Sequence, residues 1–447
     1  MGLRYVRLLD EYPTGRRRLR ILAMAVLASL ICSYEGQIAP VVPLLLEDLN
    51  MTLATYGAIS AIGAVAGAVA GIIGGRYTDK VGRVRLLIPL MMLTALCCFA
   101  MALVRTPGQF LAAKVTMSFV EGAAIACTAP LVRDFSPRMG RAQAFGFWTW
   151  GPVGANFLAA AIAGLTLPLF GGAWQSQLVI MGGISLVLSV VIAANIAELS
   201  PALRAKVVQT EHSTVAVVDE ERPALARTLF THPTMWAHVV GIAFWLVLYL
   251  TLTLYGQTML VQTFDMSTAH ASLVMTVFWI LDLAALVVAG RWSDRLQLRR
   301  PFALGGTIVG LAVLLFFVAL LGQPTVSLPV LMVTGVVLGG VLGAAYAPWM
   351  ANFSEDAENI DPRLQGTAWG MFSFLVKGMA VVVLLVVPHV VAATSWQAWM
   401  GVTAGCMALF AVAICFFGGP WRRGAPPSRN ERHSRRLGAD ESAVRPT

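Results

Sequence analysis

The chain is short of charge. Only 12% of its 447 residues are Asp, Glu, Lys or Arg, about half the share of a soluble globular protein. That shortage excludes a water-facing surface over most of its length. Histidine is scarce as well: the six stand at positions 212, 232, 238, 270, 389 and 433. They are too scattered to form a catalytic cluster with paired carboxylates, so no membrane-embedded enzyme is expected. The six cysteines, Cys32, Cys97, Cys98, Cys127, Cys406 and Cys415, all lie in apolar segments. They show neither metal-ligand spacing nor a disulfide framework, and read as small buried hydrophobes. No glycine-rich nucleotide loop follows a strand, which removes a primary pump. Neither metal nor organic cofactor is called for. The net charge of +9 does not imply nucleic acid, because no basic domain interleaved with aromatics carries it. The period-two alternation of a membrane barrel is missing too.

What the chain has instead is apolar length. Hydrophobic residues make up 57% of it and its mean hydropathy is +0.74. Runs close to the ~20 residues that cross a bilayer recur from Ile21 to Phe417. Inside lipid such runs are helices, because every backbone N–H and C=O needs a partner. The pattern predicts twelve spans, at 21–46, 53–75, 86–104, 107–132, 142–167, 174–197, 234–260, 268–290, 302–322, 326–350, 366–391 and 396–418. The expected fold class is an all-α membrane protein of twelve transmembrane helices in two six-helix pseudo-symmetric halves. With these spans, 29 of the 32 Lys and Arg residues fall on one side. Arg105 stands alone on the other, and Lys114 and Lys377 lie within spans. Positive charge marks the cytoplasmic face, so both termini are expected in the cytoplasm of a bacterial cell, with the chain in its inner membrane. The first apolar run lacks a small-residue cleavage site and reads as a retained helix rather than a signal.

The domain organisation follows from these spans. A basic tail, 1–20, precedes a six-helix bundle, 21–197. A charged cytoplasmic linker, 198–233, leads to a second bundle, 234–418. The last segment, 419–447, is a basic tail rich in Arg, Pro, Ser and Gly, a composition that fits disorder and suits contact with anionic headgroups.

Two segments answer each other across the linker. Gly75-Arg76-Tyr77-Thr78-Asp79-Lys80 recurs 215 residues on as Gly290-Arg291-Trp292-Ser293-Asp294-Arg295. Each closes the second span of its half, as a duplicated six-helix unit requires. Here the sequence resembles the major facilitator superfamily. The hallmark of that family has the form G-x-x-x-D-[RK]-x-G-[RK], and Gly75, Asp79, Lys80, Gly82 and Arg83 fit its fixed positions. In the second copy Gln297 replaces the later glycine. The resemblance implies a secondary transporter, a monomer, working by alternating access, with this motif as a cytoplasmic gate. The residues alone make sense of part of that. Gly75 and Gly82 suit close approach and a tight turn, and Asp79 can cap a helix. Arg76, Lys80 and Arg83 can pair with carboxylates such as Asp134.

Charge inside spans is costly, by roughly 2.5–3.5 kcal/mol per group at the midplane, and calls for a reason. Five such residues occur: Glu35, Lys114, Glu121, Asp282 and Lys377. Glu35, Glu121 and Lys377 fall near the middle of their spans. Lys114 lies close enough to the outer surface to snorkel. In facilitator-like folds the helices carrying these residues line or flank a central cavity. The resemblance therefore implies that Glu35 and Glu121 face it from one half, and Lys377 and Asp282 from the other. Structural pairs, Lys377 with Asp282 or Glu121 with Lys114, are the plainer reading. A midplane ammonium is a docking point for an anion, and a carboxyl in a dry site suits proton uptake and release. The expected function is proton-coupled transport of an organic anion, a carboxylate, across the membrane. The alternatives are a proton-driven exporter of lipophilic drugs or cations and a non-transporting membrane receptor. Ser118, four residues before Gly122, stands where the drug-antiporter group usually carries an arginine, which weighs against the exporter. The stripes Gly63, Gly67, Gly71, Gly75 and Gly335, Gly339, Gly343 repeat every fourth residue and predict tight helix contact.

Overall fold

The computed structural model describes residues 7–135, 141–204, 206–207, 231–323, 325–360 and 365–422. The side chains of residues 79, 80, 133, 141–147, 149, 365 and 366 are not among those described. Most of the expected linker and basic tail therefore lies outside the described residues.

Each of the twelve expected spans is helical, and twelve segments are long and apolar enough to cross a membrane. The first, Gly15–Asp48, is not one helix. It comprises α1 (Gly15–Glu35), a 3-10 turn at Ala39–Val41 and α2 (Val42–Asp48). The rest of the first half is α3 (Leu53–Val81), α4 (Arg83–Ala102), α5 (Pro107–Asp134), α6 (Arg141–Thr166) and α7 (Trp174–Asn195). The second half is α8 (Pro233–Phe264), α9 (Thr268–Leu296), α10 (Arg300–Leu321), α11 (Leu328–Ile360), α12 (Gln365–Ala393) and α13 (Trp396–Ile414). A two-residue strand, Leu8–Leu9, pairs in parallel with Glu198–Leu199 at the end of the bundle that carries the first and last described residues, the terminal end below.

The glycine stripes knit each half internally. A Cβ on Gly67 would lie 2.8 Å from the Ser118 carbonyl oxygen, and one on Gly122 would run into the Gly67 carbonyl. In the second half Gly339 meets the Phe278 carbonyl and Gly343 meets that of Asp282 in the same way. Helices α3 and α5, and α9 and α11, thus touch backbone to backbone, which only glycine permits. The contacts obey the repeat: Gly67 and Asp282 are 215 residues apart, and Gly122 and Gly343 are 221 apart.

The halves meet at the end opposite the termini. There the rings of Tyr56 and Tyr255 stand edge to face at 6.3 Å. Gly57 packs under the Leu384 carbonyl, and Gly164 packs against Leu273. At the terminal end, among the described residues, every ion pair joins groups of one half or of the strand-and-linker segment packed on it.

Candidate functional site

The break in the first span starts the site. Gly36, Pro40 and Pro43 interrupt the helical ladder. The Gln37 N–H donates back to Tyr34 at 3.0 Å and the Ile38 N–H to Gly36 at 3.1 Å. Residues Gly36 to Ala39 form one wall of a cavity of about 150 Å³ between the halves. Ser60, Lys114 and Glu121 come to it from α3 and α5, and Thr253 and Lys377 from α8 and α12. Glu121 packs closely on Gly36: a Cβ there would sit 2.7 Å from Glu121 Oε2, so a larger residue would push that carboxyl aside. Sequence alone predicts one unbroken first helix, although the Gly-Pro-Pro spacing carries the signal.

The cavity gathers three of the five intramembrane charges. Glu121 and Lys114, two turns apart on α5, share one wall. Lys114 does not snorkel: it is 8% exposed. Its stem lies on the glycine stripe of α3, with Gly63 in van der Waals reach of its Cγ. The end where it would emerge is closed by Tyr56 and Leu384, both buried. Lys377 enters from the other half and is exposed, so the cavity opens toward the terminal end. No carboxylate among the described residues lies within ion-pair distance of Lys377.

Asp282 is elsewhere. It is buried inside the second half beside Tyr249 and Tyr346, because Gly343 draws its stretch of α9 onto α11. It neither faces the cavity nor pairs with Lys377. Glu35 also misses the cavity. It turns into the first bundle, fully buried, with Ser185 of α7 beside it but outside hydrogen-bond geometry. Neither carboxyl oxygen has a protein hydrogen-bond partner.

The repeated motif is helical rather than a loop. α3 continues through Gly75 to Val81 and α9 through Gly290 to Leu296, so neither first glycine makes the exit. The turn falls at Gly82, with φ +105°, and at its counterpart Gln297, with φ +53°. The Asp79 side chain lies outside those described. Arg83 pairs with Asp134 and donates from Nη1 to the Pro130 carbonyl at 3.0 Å. Glu198, from the start of the linker, accepts from the Arg83 and Val84 N–H groups at the N-terminus of α4. In the second half Arg295 is exposed. Its neighbour Arg299 makes the ion pairs instead, with Asp294 and with Glu355 at 2.8 Å. Glu355 lies 221 residues after Asp134, the same offset as the helix-packing glycines. This second knot was readable only once that offset was known.

A family model described as Major Facilitator Superfamily matches residues 21–378 and, in an overlapping second match, 249–445. The chain belongs to the Major Facilitator Superfamily. It is therefore a membrane transporter. A gallate transporter of Pseudomonas putida is 22% identical to this facilitator over 328 residues, covering 68% of this chain and 72% of the relative.

Proposed function

We propose that this facilitator carries single-ring aromatic carboxylates across the bacterial inner membrane by alternating access, coupled to protons, with both termini cytoplasmic. The charge balance of the cavity carries the reading. Two ammonium groups, Lys114 and Lys377, face one carboxyl, Glu121. The pocket keeps a net positive charge for an anion even with Glu121 ionised. When Glu121 takes up a proton, both ammonium groups are uncompensated and anion binding strengthens. By linkage the bound anion strengthens proton binding equally. A cavity of about 150 Å³ is the size that holds one benzene ring in an engineered apolar core. The likeness to a gallate transporter, whose named substrate is an aromatic carboxylate, supports the same class. With the termini in the cytoplasm, the open end described above faces inward.

The test is uptake of gallate and benzoate into proteoliposomes with an acid-outside pH gradient, for the native protein and Lys377→Gln. Gradient-driven accumulation is expected for the native protein. Loss of a charge-assisted contact should weaken anion binding about tenfold to a hundredfold in the variant. Anion uptake unchanged by Lys377→Gln, or stabilisation by lipophilic cations that survives it, overturns the reading.

A further inference from the structure

We propose that Glu35, Ser185 and Ser189 line a proton path through the interior of the first bundle, separate from the substrate cavity and leading to the terminal end. The inference rests on the proton-coupled reading above and extends it to residues outside the cavity. Ser185 and Ser189 stand one turn apart on α7, 0% and 1% exposed. Neither hydroxyl has a protein partner, and neither has any oxygen of Glu35. Four orphaned polar atoms therefore run along one buried seam.

Many buried helical hydroxyls of this protein satisfy themselves, whereas Ser60, Thr258, Thr263 and Ser272 share the orphaned state of Ser185 and Ser189 but stand on other helices, α3, α8 and α9. Thr78 donates to the Gly74 carbonyl at 2.7 Å, Thr94 to Leu90 at 2.9 Å and Thr307 to Ala303 at 2.7 Å. That back-bond one turn up the helix is the default for such a group. Ser185 and Ser189 do not take it, and buried polar groups without protein partners are met by ordered water. Water joining these hydroxyls to Glu35 passes a proton by making one O–H bond as the next is broken, with no net change in either serine. Ser189 lies six residues from the terminal end of α7, or about 9 Å, whereas Ser185 lies eleven from the other end, about 16 Å.

The surroundings favour a proton over any other cation. The titratable groups facing Glu35 are Cys32 on its own helix, Cys97 and Cys98 on α4, and Glu121 on α5. Among the described residues no Lys or Arg pairs with it. The link to the cavity is short. Glu121 packs on Gly36, the residue after Glu35, so a charge change at Glu35 is felt where the substrate binds.

The path is tested with Ser189→Val, which removes the hydroxyl and fills its place, and with the milder Ser189→Ala. Two readouts are compared in proteoliposomes: pH-gradient-driven gallate uptake and gallate counterflow at equal pH. Ser189→Val should lower gradient-driven uptake at least about tenfold, the usual scale for losing a positioned proton carrier, while counterflow stays at the native rate. Ser189→Ala, which keeps the packing, should slow gradient-driven uptake with a larger solvent isotope effect. Equal loss of both readouts in both variants would show a packing role and overturn the path. Native gradient-driven uptake in Ser189→Val would do the same. A native protein that shows counterflow but no gradient-driven uptake sinks the proton-coupled reading itself, before any variant is made.

Discussion

The two halves share a skeleton and differ in what fills it. In each, the second and fourth spans touch through glycines, and an arginine and a carboxylate knot the terminal end. The first half surrounds that skeleton with polar groups: Lys114, Glu121, Glu35, Ser185 and Ser189. The second sets a run of stacked rings beside its own buried polar groups, among them Gln257, Thr258, Ser272 and Asp282. Trp245 stacks between Tyr249 and Tyr346, each at 4.8 Å, and Trp349 stacks on Tyr346 and Phe353. Offset aromatic stacks are rigid, well-packed cores, whereas buried hydroxyls and carboxyls are the stuff of ion and proton handling. Duplication thus supplied two similar frames, and the asymmetry lies in the side chains hung on them.

The largest effect should come from the shared frame. Gly122→Leu and Gly339→Leu each drive a side chain into a neighbouring backbone carbonyl, and a helix pair cannot yield there without separating. Neither variant should give a monodisperse peak on size-exclusion chromatography, and the failure should be equal in the two halves. A folded Gly339→Leu beside a lost Gly122→Leu would show that the frames are not equivalent.

The next effect separates the interiors. Asp282→Asn alters a group enclosed by rings, away from the cavity, so gallate-induced thermal stabilisation should persist within about threefold of native affinity. Glu121→Gln removes the carboxyl that opposes two ammonium groups, and should abolish the pH dependence of binding while leaving binding itself. A gallate shift lost in Asp282→Asn would place the substrate in the second bundle and break the comparison.

The frame was legible in the sequence because hydropathy, loop charge and a repeated hexamer are local patterns. The twelve spans, the family and the glycine contacts all follow from such patterns. The lining of the cavity was legible only in part. Glu121 and Lys377 are found by asking which charges sit at mid-span. Lys114, Asp282 and Glu35 are misplaced by the same question, because depth in a helix does not say which way a side chain turns. That is set by partners distant in sequence: Gly63 under Lys114, Gly343 against Asp282, Ser185 beside Glu35. Arg299 escaped notice because it stands one position beyond the counterpart of Arg83, outside the repeated motif.

A smaller contrast lies in the two knots. Arg83 and Asp134 are both buried, so Arg83→Gln leaves a carboxylate in a dry site where, among the described residues, Arg204 at 3.6 Å is its remaining ion-pair partner. Breaking such a pair costs on the order of 3–5 kcal/mol. Arg299 is buried too, but its partners Asp294 and Glu355 are 63% and 49% exposed. Water can take over those carboxylates, and Arg299→Gln should cost no more than about 1 kcal/mol. Thermal melts in one detergent would check both, and similar losses would mean that the knots are energetically alike.

The smallest effect tests the turns beneath those knots. Gly82 has φ +105°, and a Cβ there would lie 2.8 Å from the Glu198 carboxylate that holds the start of α4. Gln297, its counterpart, sits at φ +53° and donates from Nε2 to the Asp294 carbonyl at 2.6 Å. Exchanging the residues should therefore be asymmetric. Gly82→Gln adds backbone strain of roughly 1–3 kcal/mol and also displaces Glu198. Gln297→Gly relieves about 1–2 kcal/mol of left-handed strain, but loses a side-chain hydrogen bond and loosens the unfolded chain by about 0.5–1 kcal/mol. Those terms nearly cancel, so its melting temperature should stay close to native while that of Gly82→Gln falls. Equal falls would mean that the turn geometry alone sets stability at both sites, and that Glu198 adds nothing to the first.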